Sequence, residues 1–229
     1  LIYFTFKKGI KNVKRLYFIF FLICFQGFIG WFMVRSGLVN RVDVSHFRLS
    51  IHLVTAFIIL SLILWEILNY KDTNKRSQYF IKYNLPSILL FIVFLQIVFG
   101  AFVSGMDAGR IYNTWPLMGN NYFPDDNIFL NLFKIEAFSE PSLVQFIHRN
   151  LAYLIVIYTL MILFFVLRKR KAHLHGAIFL LVFIIFVQAF LGVLTLLSGV
   201  NIVFALMHQL STIFLLLFSI YFYYKSLIQ

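Results

Sequence analysis

The side chains best equipped for chemistry are three histidines, His52, His148 and His208, each a turn or two inside an apolar stretch. An imidazole at membrane depth needs a partner or a task. His52 lies four residues past Arg48, roughly 6 Å along a helix, whereas His148 lies seven past Pro141 and His208 seven past Asn201, each roughly 10 Å deep by the same rise. A lone intramembrane histidine is commonly a hydrogen-bonded packing residue. Three at matching depth suggest a ligand cage instead. Zinc favours Cys, Asp or Glu at close spacing, and none lies within a turn of these histidines. Heme needs two axial imidazoles from facing helices and an apolar pocket, which a Phe- and Leu-rich chain can supply.

The elements that must position these imidazoles are membrane helices. Of the 229 residues 62% are hydrophobic and 12% charged, against roughly 25% charged in soluble proteins. Apolar runs of the length needed to cross a bilayer occupy about 16–34, 49–68, 85–103, 143–167, 174–197 and 202–224. The fold class expected is an all-α integral membrane protein with six transmembrane helices. The net charge of +12 sits in short blocks between these runs, where it acts as a topology signal rather than a nucleic-acid stripe. Lys7, Lys8, Lys11, Lys14, Arg15, Lys71, Lys75, Arg76, Lys82, Arg168, Lys169, Arg170, Lys171 and Lys225 fall on one side, and six of the eight acids fall on the other. The positive-inside rule makes both ends of this segment cytoplasmic. The one cysteine, Cys24, allows no intrachain disulfide and reads as packing. The chain opens on Leu1 with no signal-peptide pattern, which suggests a segment whose true N-terminus lies upstream.

A repeat underlies the spans. Gln26 with Gly30, Gln96 with Gly100 and Gln188 with Gly192 form Gln-xxx-Gly pairs in the first, third and fifth spans, and each precedes a histidine-bearing helix. Small residues four apart from a polar one let a helix or a flat macrocycle approach closely; alone, the pattern more often means helix packing. Three hairpins is an odd number, so a fourth before Leu1 would give two halves of four helices. The division expected is 1–84, the second hairpin of an incomplete N-terminal half, and 85–229, a complete C-terminal half of four helices. His148 and His208 then pair within the complete half. Arg149 and Arg48 sit where heme propionates would reach the surface, although interfacial snorkelling explains Arg48 nearly as well. The long connection at about 104–141 is rich in turn and aromatic residues and is expected to fold over the outer mouth of the bundle. His46, in an outer loop, and His173 and His175, in a basic cluster, are expected to be solvated.

Several stretches together resemble one family, heme A synthase in its alphaproteobacterial and mitochondrial form. They are Gly30-Trp31-Phe32-Met33-Val34-Arg35-Ser36-Gly37-Leu38, Arg48-Leu49-Ser50-Ile51-His52-Leu53, and Gly100 through Gly109 leading to Tyr112-Asn113-Thr114-Trp115-Pro116-Leu117-Met118-Gly119. Gln145-Phe146-Ile147-His148-Arg149 and His208-Gln209 fit as well. The loop motif is the most specific, and the likeness runs over essentially the whole chain. Members look like eight-helix proteins of two four-helix halves, which convert heme O to heme A by oxidising the C8 methyl to a formyl through successive hydroxylations and loss of water.

The resemblance implies that His148 and His208 ligate a b-type heme for electron transfer, with Arg149 among the cofactor-binding residues. His52 corresponds to one of two histidines facing the substrate heme, and is the catalytic candidate. Its companion, with a Glu-xx-His arrangement, belongs to a first hairpin that these residues do not contain, so the segment is expected to be inactive by itself. The expected partners are heme O, the bilayer and a membrane electron acceptor, with contact to heme O synthase or a second copy possible; the expected location is a bacterial inner membrane. Two further readings stay open. One is a membrane cytochrome b acting only in electron transfer. The other is a transporter with histidine proton relays, which the aromatic loop and the paucity of buried acids disfavour, Glu66 being the only acid within a span.

Overall fold

The chain is described by a computed structural model over residues 13–37, 44–71 and 85–227. Among these residues there are six long helices and no strand: α1 (Val13–Gly37), α2 (His46–Lys71), α3 (Leu85–Gly105), α4 (Pro141–Arg168), α5 (Ala172–Leu197) and α6 (Ile202–Ser226). Each has 21 to 28 residues and is apolar enough to cross a membrane. In lipid the backbone must be satisfied within the segment, which selects helices for such sequences. The chain is a multi-pass helical membrane protein.

The helix ends follow local chemistry. Pro141 occupies the first turn of α4, where its missing N–H costs nothing. Asn201 caps α6 by accepting from the Val203 amide at 2.9 Å. Gly199 at φ 66° and Val200 at φ 62° turn the chain sharply between α5 and α6. At the end remote from the long loop, Arg15 of α1 donates to Glu66 of α2 at 3.1 Å. The acid placed inside a span therefore has an ionic partner.

Contacts between α3 and α4, α4 and α5, α5 and α6, and α6 and α3 close a ring, α2 packs on α3 and α6, and α1 packs on α2. Leu89, Val93, Ile162, Leu174, Ile178, Leu181, Leu216 and Phe222 fill the ring. The Tyr224 hydroxyl donates to the Leu68 carbonyl at 3.0 Å, and Trp65 stacks on Tyr223, tying α2 to α6. Outward-facing Phe91, Ile157 and Phe183 are exposed, as a lipid-facing surface allows.

Four helices start earlier than their apolar runs, at Val13, His46, Pro141 and Ala172, because residues of the interface continue the helix. The start at His46 places His52 six residues in, roughly 9 Å, in step with His148 and His208. It also corrects the expectation of a solvated loop histidine. The His46 ring packs edge-on to Phe102 at 5.4 Å, its Nε2 is buried without a hydrogen-bond partner, and its backbone sits where a Cβ on Gly105 would be 2.9 Å away. His175 likewise has a buried, unpartnered Nε2 and packs edge-on to Phe179. Of the topology signals, Lys7, Lys8, Lys11, Arg41, Asp43, Lys75, Arg76 and Lys82 lie outside the described residues, as does Leu38 of the first motif.

Candidate functional site

The Gln-xxx-Gly pairs turn out to clasp the histidines. Gln26 Nε2 lies 3.3 Å from His52 Nε2, Gln96 Nε2 lies 3.2 Å from His148 Nε2, and Gln188 Nε2 lies 3.5 Å from His208 Nε2. One turn on, the glycine of each pair removes the side chain that would collide with the same imidazole. A Cβ would come within 3.1 Å of His52 Cε1 at Gly30, 3.2 Å of His148 Cε1 at Gly100 and 3.0 Å of His208 Cε1 at Gly192. Each unit is thus a ring laid flat against the preceding helix, with a side-chain amide at its Nε2. The same construction occurs three times.

The three clasps differ in how firmly they are held. His208 Nδ1 lies 3.1 Å from the Gln188 carbonyl, which can only accept, so Nδ1 carries the hydrogen and Nε2 keeps its lone pair. Gln188 is itself fixed: its amide donates to the His208 carbonyl at 3.1 Å and to Thr212 Oγ1 at 2.8 Å, and its Oε1 accepts from Ser211 Oγ. Gln26 donates to the His52 carbonyl at 2.9 Å, which orients it similarly. Around His148 the arrangement is looser. His148 Nδ1 and Gln96 Oε1 are both buried and lack a partner. Ser211 and Thr212 were not singled out from the sequence. Their signal was their place three and four residues past His208, on one helical face.

His148 and His208 lie within electrostatic reach of each other. Among the described residues no group of three or more His, Cys, Asp or Glu could hold a bare metal ion. The donor set offered is two imidazoles in an apolar setting. Two nitrogen donors with no third His, Cys, Asp or Glu beside them among the described residues fit the iron of a heme, whose porphyrin supplies the other donors, better than a bare ion.

Arg149, next to His148, holds the long loop. Its guanidinium donates from one terminal nitrogen to the carbonyls of Thr114 (2.9 Å) and Leu117 (3.2 Å) and from the other to Tyr112 (2.9 Å), while Nε is buried without a partner. Gln145, one turn earlier, donates to the Tyr112 carbonyl at 3.0 Å. Asn113 reaches across to the Leu196 carbonyl of α5 at 3.0 Å, and Gly109 packs against Val200 in the α5–α6 turn. The loop therefore spans the ends of α4, α5 and α6, as its composition led us to expect. Within it the Tyr112 hydroxyl donates to Asp126 and accepts from the Asp125 amide, each at 3.1 Å. Burial, and then the Asp126 hydrogen bond, raise its pKa above the ordinary phenol value, so it stays neutral. Arg149→Ala removes three hydrogen bonds to the loop at once. Amide exchange over 112–118 is then expected to accelerate roughly tenfold or more, with the core of α3–α6 unchanged. Unaltered exchange there would show that the guanidinium is not what pins the loop.

Comparison with known proteins adds to this geometry. Proteins named heme A synthase are 46% identical over 222 residues in Pelagibacter ubique, 37% over 230 in Rickettsia africae and 40% over 214 in the Wolbachia of Brugia malayi. The alignments cover 94%, 98% and 91% of this chain but only 64%, 68% and 62% of those proteins. The chain thus spans about two thirds of the length of these relatives. A sequence model of one family matches residues 1–220. The chain belongs to that family, COX15-CtaA, described as cytochrome oxidase assembly protein.

Proposed function

We propose that this chain is part of a heme A synthase, an oxidoreductase that converts the C8 methyl of heme O to the formyl of heme A by successive hydroxylations and loss of water. This would be the last step of heme A biosynthesis for cytochrome oxidase. The reading is supported by relatives named for that activity. It rests on His148 and His208, each clasped by a Gln and cradled by a Gly.

Residues 85–229 form the cofactor half in this reading, and 1–84 the remaining hairpin of the substrate half. A heme b would be held by the imidazoles of His148 and His208 and would supply one-electron transfer. Gln188 and its carbonyl fix the His208 tautomer that leaves Nε2 its lone pair. Arg149 secures the loop and keeps Nε for a propionate carboxylate. His52, oriented by Gln26, is the catalytic residue facing heme O. Methyl to formyl is a four-electron oxidation, so an acceptor in the membrane must take those electrons. Heme O is poorly soluble in water, which favours transfer through the bilayer, or direct contact with heme O synthase or a second copy. The location is the inner membrane of a bacterium, with the basic ends of the helices cytoplasmic.

The test is to express the full-length gene with a source of heme O, extract the hemes and identify them by mass. Heme A is expected. A b-type spectrum with no heme A would leave a membrane cytochrome b that only carries electrons. Produced alone, the 229 residues are expected to bind heme b without turnover, since His52 has no repeat-related partner histidine among them. Heme A formed by this segment would contradict that.

A further inference from the structure

Residues 128–138, read Ile-Phe-Leu-Asn-Leu-Phe-Lys-Ile-Glu-Ala-Phe, are the most apolar part of the long loop and also its most exposed. They form two short 3-10 turns, Phe129–Phe133 and Ile135–Ser139. Ile135 is 84% exposed, Phe133 78% and Leu130 69%, with Ile128 and Phe129 at 61% and 60%. A water-facing loop has no reason to present five such side chains in eight residues.

The depth of this segment identifies what covers it. The Phe138 ring lies 6.0 Å from Phe99, which is six residues inside the end of α3, roughly 9 Å along its axis. Asn127 donates to Ser142 Oγ in the first turn of α4 at 2.8 Å, and only Glu140 separates the second turn from Pro141, where α4 begins. The segment therefore cannot rise away from the bilayer surface. Its two flanks, Asn127 and Phe138, are held level with the first turn of α4 and the last two turns of α3, helices long and apolar enough to cross a membrane.

We propose that residues 128–138 form an interfacial shelf that inserts into the lipid leaflet at the loop-bearing end of the bundle. The partner is the acyl and headgroup boundary of the membrane. The pattern suits lipid better than protein. Lys134 and Glu136 are interleaved with Phe133 and Ile135, and all four are exposed. The cores of protein interfaces are depleted of Lys and Glu, whereas at a lipid boundary such side chains extend to the headgroups while their neighbours bury. The two charges cancel, so no charged partner is favoured. The shelf also bears on the site: Phe129 packs on Phe123 at 5.8 Å, and Phe123 on Phe146 of α4 at 5.0 Å. Anchoring the shelf would hold the loop down from its lipid side, opposite the grip of Arg149.

Site-directed spin labelling of the full-length protein in phosphatidylcholine vesicles tests this. All cysteines, Cys24 among them, are replaced by Ser, and single labels are placed at Phe133→Cys, Ile135→Cys and, as a water-exposed reference in the same loop, Asn120→Cys. Power saturation should find the labels at 133 and 135 accessible to oxygen but several-fold less accessible to a soluble nickel chelate than the label at 120. Each variant is first checked for an unchanged heme spectrum. Labels at 133 and 135 as open to nickel as that at 120 would mean a solvated loop. Labels closed to both probes would mean that protein covers the shelf. Either outcome overturns the proposal.

Discussion

Replacing either His148 or His208 by alanine is expected to abolish the low-spin b-type spectrum of the purified protein. Each imidazole lies against a glycine, so alanine leaves a gap beside which only the Gln96 or Gln188 amide remains, too weak a ligand to keep the iron low-spin. Among the described residues no third His, Cys, Asp or Glu joins this pair to take over a coordination position. A singly ligated heme would become high-spin or be lost, which optical and electron paramagnetic resonance spectra separate from the bis-imidazole form. His52→Ala is the companion measurement. It should leave the b-type spectrum intact and act on heme A formation alone, because His52 is clasped by Gln26 on the α1–α2 hairpin rather than within the α3–α6 ring. Survival of the low-spin spectrum in both His148→Ala and His208→Ala would refute the ligand assignment without touching the fold.

The six helices were legible because each apolar run exceeds what a soluble core needs, and periodicity was not required to find them. Their ends were less legible. Lys14, Arg15, His46 and Arg48 look like loop residues by composition, yet the helix carries them through the interface, where long side chains reach water. The repeat of Gln, Gly and His could be read from spacing, but its use could not. Whether Gln96 meets His148 depends on the rotation of two helices about their axes, which a one-dimensional pattern does not contain. Arg149 marks the other limit. Its acceptors are the carbonyls of Tyr112, Thr114 and Leu117, which every residue possesses, so no side-chain identity could have announced them. The amphipathic segment 128–138 was visible as letters, but its meaning required the depth set by Phe99 and Ser142.

Substituting the two cradle glycines should show that the two sides of the proposed heme site are not equivalent. By Cβ distance alone, Gly192→Ala and Gly100→Ala look alike, with contacts of 3.0 and 3.2 Å to the imidazole Cε1. What differs is whether the ring can retreat. His208 is held by its Nδ1 bond to the Gln188 carbonyl, and Gln188 by Ser211 and Thr212, so the added methyl meets a ring that cannot move without breaking several hydrogen bonds. His148 Nδ1 makes only a weaker approach to the Gln96 backbone, outside normal hydrogen-bond geometry, and among the described residues Gln96 is held by no other side chain. Overpacking of a rigid site costs about 1–3 kcal/mol, which corresponds to roughly 5- to 150-fold in heme affinity. That penalty should fall on Gly192→Ala, while Gly100→Ala should bind heme within roughly a few-fold of the parent by the same conversion. Valine at either position removes the space for any retreat, and both Gly100→Val and Gly192→Val should lose the low-spin spectrum. Heme titration of the four variants after extraction decides the matter. Equal losses in the two alanine variants would mean that the Ser211–Gln188–Thr212 network does not stiffen its ligand. A full low-spin spectrum in Gly192→Val would mean that the imidazole does not rest on α5 when heme is bound.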